Sequence, residues 1–279
     1  MIYILLSVCC SVFVSVLLKL AKRYEIDNKQ AITWNYSIAA LLTWLIYKPE
    51  IPEISALYVS LGVLLPSIFL VLALSVHYTG IVRTDIAQRL SLFIPVLASF
   101  ILFSEIHSIL KIIGILIAFA AIIFSIPWQK ENKKARSSWL YPLIVFAGMG
   151  IIDILFKQIA KTTSIPFTSS LIIVFLLAFL VSISYLLYLY LRGRMKFSLI
   201  NLICGWILGI ANFGNILFYL KAHQALANSP SMVFSSMNIG VIILGSAVGV
   251  LIFKEKLSRL NYLGIVLALI SITVLYFSN

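Results

Sequence analysis

Apolar runs long enough to cross a bilayer alternate with short polar interruptions along the whole chain. The runs fall at roughly 2–21, 30–47, 55–77, 81–103, 109–127, 139–160, 167–191, 198–221, 230–253 and 258–277. A helix crossing about 30 Å of hydrocarbon needs roughly 20 residues, so the pattern predicts ten transmembrane helices. Most connections are five to nine residues long and none could fold alone. The longest polar stretch, Gln129 to Ser138, falls near the middle of the chain and carries Lys130, Lys133, Lys134 and Arg136. The expected organisation is a first five-helix unit over 1–128, a basic linker over 129–138 and a second five-helix unit over 139–279. The apolar stretch 2–18 is long for a signal peptide, no basic residue precedes it, and no A-x-A site follows before Lys19 and Lys22. It reads as a retained first span.

The two units resemble one another. A shift of 150 residues aligns Phe103–Phe124 with Phe253–Val274 without a gap, with eight identities in 22 positions. Among them are Glu105/Glu255, Gly114/Gly264 and Ala118/Ala268, and the Glu and Gly matches are hard to obtain by chance among apolar residues. Leu17-Leu18-Lys19 also resembles Leu155-Phe156-Lys157, and His77 and His223 occupy similar places near the ends of the third and eighth helices. Five helices per unit is an odd number, so the second copy must enter the membrane from the opposite side. Inverted-topology repeats of this kind are typical of secondary transporters, whose two halves rock about a central site.

Composition agrees with the pattern. The 279 residues are 62% hydrophobic and 11% charged, against roughly 25% charged in a soluble domain, and the mean hydropathy is +1.09. No soluble domain fits between the spans. The net charge of +12 raises the question of nucleic acid, but the basic residues sit in the interruptions, as in loops of integral membrane proteins, and no nucleic-acid role is expected. The odd-numbered loops hold 14 of them: Lys22, Arg23, Lys29, Arg83, Lys130, Lys133, Lys134, Arg136, Arg192, Arg194, Lys196, Lys254, Lys256 and Arg259. The even-numbered loops and adjoining ends hold four: Lys48, Lys111, Lys161 and Lys221. This bias places the odd loops in the cytoplasm and both termini outside. Cys9, Cys10 and Cys204 all lie inside apolar runs and form no disulfide framework.

The paired helix–Glu–helix units, LSLFIPVLASFILFSEIHSILKIIGILIAFAAI with Pro95, Glu105 and Gly114, and NIGVIILGSAVGVLIFKEKLSRLNYLGIVLALISI with Glu255 and Gly264, resemble the EamA family of the drug/metabolite transporter superfamily. The resemblance covers the whole chain. It implies an all-α membrane fold of ten helices in two inverted five-helix repeats. A central cavity would be lined mainly by helices 1, 3, 4, 6, 8 and 9, with transport that uses no ATP and a place in the cell's inner membrane. Two features depart from the family: Gly245 stands where the first unit has Pro95, and the charge tally argues against the cytoplasmic termini expected of ten-helix relatives.

Ionisable groups inside spans are costly and mark functional sites by default. The fourth run offers Asp85 and Arg89, and the sixth Asp153 and Lys157, each acid four residues before its base, the favourable order for a helical pair. Either they neutralise one another structurally or they line the cavity and exchange partners with a substrate. Arg89, about two turns into its helix, is too deep to reach the interface easily and is the leading candidate. Lys19, near the end of the first span beside Lys22 and Arg23, either snorkels or contacts ligand. Asn212, Asn215 and Tyr219 form one stripe, and Ser231, Ser235 and Asn238 another. Both could be polar glue between helices or the convergent polar groups of a pocket. Gly205 and Gly209 suit close helix packing, and Glu105 and Glu255 suit capping or ion pairing at helix ends.

No metal-ligand cluster, P-loop, G-x-G-x-x-G or Ser/His/Asp constellation is legible, so no cofactor, metal or catalytic residue is expected and the chain does not read as an enzyme. The function expected is secondary transport, with export favoured, of a small polar or amphipathic metabolite such as an amino acid, a nucleobase or an organic anion. Proton coupling is an option. Partners are the small-molecule substrate and the lipid bilayer, and the chain could be monomer or homodimer. The competing readings are a multidrug or cationic-compound efflux protein and a lipid-handling membrane protein.

Overall fold

The computed structural model describes residues 1–24, 26–79, 81–105, 108–125, 140–162, 166–254 and 258–277. Within these, nothing is said of the side chains of residues 19, 21–23, 77, 81–83, 85 and 125. Linker 129–138 and Glu255 lie outside the described residues, as do the side chains of Lys19 and Asp85. Everything regular in the described chain is helix: α1 (Ile2–Arg23), α2 (Asn28–Tyr47), α3 (Ala56–Thr79), α4 (Ile81–Leu90), α5 (Phe93–Ile101), α6 (Ile109–Ser125), α7 (Leu140–Lys161), α8 (Phe167–Leu191), α9 (Leu199–Ala225), α10 (Pro230–Leu251) and α11 (Arg259–Phe277). Six of them, α3 and α7 to α11, are long and apolar enough to cross a membrane, and shorter apolar stretches occupy Ile2–Leu18, Ile86–Ile101 and Ile109–Phe124. The chain is an all-helical, multi-pass membrane protein.

The fourth apolar run, expected as one helix, is two. Pro95 has no N–H, and its ring excludes the carbonyl of Ser91 four residues earlier. That carbonyl accepts instead from the Ile94 N–H at 3.0 Å, and the Ser91 hydroxyl folds back onto the Gln88 carbonyl at 2.6 Å. The α4 turn ends at Leu90 and α5 begins at Phe93. Arg89 therefore lies in the last turn of α4, where carbonyls without intrahelical partners favour a cation.

Packing between units is more extensive than packing within them. α1 packs on α9 and α10, and α7 packs on α3, α4 and α5; α2 packs on α8 and α9, and α8 on α2 and α3; α6 packs on α11. Two glycines of α9 let α2 approach. A Cβ on Gly209 would lie 2.6 Å from the Asn35 carbonyl oxygen, and one on Gly205 would lie 2.8 Å from that of Ala31. The small residues matched between the two units serve the α6–α11 contact: Ala118 and Ala268 are wholly buried, and the Ser271 hydroxyl donates to the Gly114 carbonyl at 2.7 Å. Close approach through small residues is the usual basis of helix association where both alternatives are apolar.

The loops are tied across the units as well. At one end of the bundle Asp27 caps α2, accepting from the Lys29 N–H at 2.9 Å, while its own N–H reaches Asn201 Oδ1 at 3.3 Å and Gln30 Nε2 donates to the Lys196 carbonyl at 2.9 Å. At the other end Glu105 is buried against α10. It accepts from the Ser231 hydroxyl at 2.6 Å and the Ser231 N–H at 2.9 Å, and pairs with Lys111 at 3.0 Å. The carboxylate thus caps a helix 126 residues away, where the N-terminal dipole favours it.

Candidate functional site

Where α1, α4, α7, α9 and α10 converge, the helices leave a cavity of about 310 Å³. It is lined by Ser11 and Ser15 from α1, Gln88, Arg89 and Ser91 at the break between α4 and α5, Met149, Asp153 and Phe156 from α7, Asn215 and Tyr219 from α9, and Met237 and Asn238 from α10. A polar cavity inside an apolar bundle is a concentrated cost, because each polar group there must find a partner or water.

The geometry assigns those partners in part. The Tyr219 hydroxyl donates to Asp153 Oδ1 at 3.0 Å, joining α9 to α7 across the cavity wall. The Ser7 hydroxyl lies 2.8 Å from Asn215 Oδ1 and 2.9 Å from the Asn215 carbonyl oxygen, fixing that amide against α1. Asn238 Nδ2 donates to the Phe234 carbonyl one turn back at 3.1 Å, which leaves its side-chain oxygen for the cavity. Arg89 contributes a guanidinium, whose planar fork matches carboxylate and phosphate.

The residues singled out from sequence divide accordingly. Arg89, Asp153, Asn215, Tyr219 and Asn238 meet in the cavity. Asn212 is half-buried on the same helix and is not part of the lining. Ser235 is fully buried in α10 outside the lining. The expected Asp153–Lys157 pair does not form among the described residues. Lys157 turns away and donates to the carbonyls of His223 and Ala227 at 3.3 Å each, where α9 ends. Asp153 turns to Tyr219 instead. The reason is tertiary: α7 packs along α9, which offers a hydroxyl to the acid and carbonyls at a helix terminus to the base.

Sequence reading passed over Ser11, Ser15, Gln88 and Ser91. The signal available was Pro95, which predicts an open carbonyl at Ser91 and hence a helix break beside Arg89. Broken helices near the midplane, tolerated only where they line a cavity, are a feature of transporter binding sites.

Fold and cavity together define a polytopic helical membrane protein built around an internal polar site. The chain is 43% identical, over a 287-residue alignment covering 98% of it and 97% of the relative, to an uncharacterized protein of Haemophilus influenzae, and it belongs to the same family as that protein. No family model matches it. A crystal structure of a protein of 12% identity superposes with a TM-score of 0.76 over 98% of both chains, so the two share a fold.

Proposed function

We propose that this protein is a secondary transporter of the EamA kind, moving a small polar metabolite by alternating access about the cavity at Arg89. Its ten spans would be α1, α2, α3, the broken α4–α5 pair and α6, followed by α7 to α11, as two inverted repeats. The observation that carries this reading is the cavity itself: both halves of the chain contribute charged and amide groups to one space of about 310 Å³, small-metabolite in scale. The pairing of helices supports the repeat. Exchanging α1 with α7, α2 with α8, α3 with α9, α4–α5 with α10 and α6 with α11 converts the α1–α9 contact into α7–α3, α2–α9 into α8–α3 and α1–α10 into α7 with α4–α5.

Arg89 would take a carboxylate or phosphate of the substrate, and Asp153, Asn215 and Asn238 its remaining polar groups. A cation-exporting alternative gains one specific observation: among the described residues Asp153 makes no ion pair with Lys157 and faces the cavity with the Tyr219 hydroxyl on it. Counterflow in proteoliposomes separates the two. Uptake of carboxylate-bearing solutes that is abolished by Arg89→Gln supports the metabolite reading. Movement of quaternary cations that survives Arg89→Gln and is lost in Asp153→Asn supports the alternative. Movement of lipid with no solute counterflow would defeat both.

A further inference from the structure

Of the residues lining the cavity, Ser15 and Gln88 are exposed, which opens it on their side, and nearby on α10 a Cβ on Gly245 would meet nothing within 4 Å. Toward the opposite end Phe156, Tyr219, His223 and Phe234 pack into a plug, with the His223 ring 4.7 Å from each of the Tyr219 and Phe234 rings.

Three helices carry polar groups from the cavity into that plug. On α7 Asp153 is followed one turn later by Lys157; on α9 Asn215 and Tyr219 are followed by His223; on α10 Asn238 is preceded by Ser235 and Ser231. The spacing of four, four and three to four residues keeps each series on one helix face. Lys157, His223, Ser231 and Ser235 are all buried. Neither ring nitrogen of His223 nor the Ser235 hydroxyl has a hydrogen-bond partner among the described residues. A permanent plug would be cheaper without them, since a buried polar group with no partner costs free energy that an apolar side chain does not.

A break in symmetry marks the same place. α7 and α9 pack together at the plug, whereas their counterparts under the exchange, α1 and α3, have no comparable packing among the described residues. Beyond the Tyr219–Asp153 hydrogen bond at the cavity wall, α7 is tied to the end of α9 by Lys157, whose ammonium donates to the carbonyls of His223 and Ala227. By the sequence repeat, Lys19 on α1 and His77 on α3 stand at the corresponding places.

We infer that Lys157, His223, Ser235 and Ser231 line the closed half of a polar pathway through the protein, with Lys157 as the latch that holds α7 to α9 while that half is shut. This deepens the transport reading and rests on it. In the alternate state α7 parts from α9 as α1 now stands apart from α3, and the orphaned histidine and serine groups meet water and a passing polar solute.

Thiol accessibility tests this without knowledge of the substrate. The full chain is placed in membrane vesicles with Cys9, Cys10 and Cys204 replaced by Ala, and a quaternary-ammonium methanethiosulfonate is applied to either side. Exposed Lys161→Cys and Arg192→Cys report the two ends, and Asn238→Cys and Ser235→Cys report the pathway. Both reporters should react from the Lys161 side, slowly in the parent. Lys157→Met, which keeps the apolar stem, should raise that rate roughly tenfold or more, because hydrogen bonds from a charged donor are the strong ones, and should lower the rate from the Arg192 side. Reaction of both reporters from the Arg192 side alone, or rates that Lys157→Met leaves unchanged, would overturn the inference. If Lys157→Met does not insert, two-sided access in the parent decides by itself. Counterflow without two-sided access would sink the pathway and spare the transport reading; two-sided access with no solute moved would do the reverse.

Discussion

Replacing Glu105 by Ala tests a buried anchor between the first half of the chain and α10. Glu105 is 4% exposed and Lys111 is 5% exposed, so their 3.0 Å contact lies out of reach of most solvent screening. The same carboxylate accepts two hydrogen bonds from Ser231 at the start of α10, at 2.6 and 2.9 Å. Truncation removes the carboxylate from a buried ammonium, a change of about 3–5 kcal/mol where such pairs have been broken, and leaves a helix N-terminus uncapped, which adds about 1 kcal/mol. Glu105→Gln keeps an oxygen for Ser231 and should lose less than Glu105→Ala. Adding Lys111→Met to Glu105→Ala should recover part of the loss, because the buried ammonium that faced the carboxylate is then gone as well. Thermal unfolding of purified protein, read as the fraction staying monodisperse after heating, ranks the variants. Equal stability of the parent and Glu105→Ala would refute the reasoning, and so would a double variant less stable than Glu105→Ala.

Gly209→Val should destabilise by about 1–3 kcal/mol through overpacking, since its side chain would enter the Asn35 backbone of α2; the same heating assay reads it, and an unchanged midpoint would mean that α2 and α9 are free to separate. Arg89→Gln should abolish counterflow while leaving inserted, folded protein, and Arg89→Lys should retain part of it because the bidentate geometry is lost; normal transport by the Gln variant would place the guanidinium in a structural role. The charge tally predicts that a cysteine in the loop Lys130–Arg136 resists an impermeant reagent in intact cells, and ready labelling would reverse the orientation.

Most of the fold was legible because lipid leaves few options. A backbone in hydrocarbon must satisfy its own hydrogen bonds, so apolar length alone locates helices, and every apolar run contains helix at or near its expected bounds. The exception, the break at Ser91 and Leu92, needed an argument about one missing N–H at Pro95 rather than about hydropathy. Close packing at Gly205 and Gly209 was also readable, since a residue without Cβ on a span suggests a neighbour. Which neighbour was not: that Gly205 and Gly209 face α2 follows from how the helices are arranged in space, which no local pattern encodes.

The site shows the same division more sharply. Helical spacing put Asn212, Asn215 and Tyr219 in one stripe and Ser231, Ser235 and Asn238 in another; of these Asn215, Tyr219 and Asn238 line the cavity and Asn212, Ser231 and Ser235 do not. It also put Asp153 beside Lys157 with two readings open, and the mutually neutralising pair does not form among the described residues, because a side chain long enough to reach its neighbour four residues away is long enough to reach another helix. The Lys157 ammonium has three donors, and at the end of α9 it finds two carbonyls that no helical N–H occupies. The carboxylate of Asp153, nearer the cavity, finds the Tyr219 hydroxyl. Separating the pair is what makes each residue useful. An Asp153 bound to Lys157 would present no net charge to a solute, and a Lys157 bound to Asp153 could not hold α7 to α9. The divergence of two groups one turn apart therefore ties the character of the cavity to the closure of the pathway beyond it.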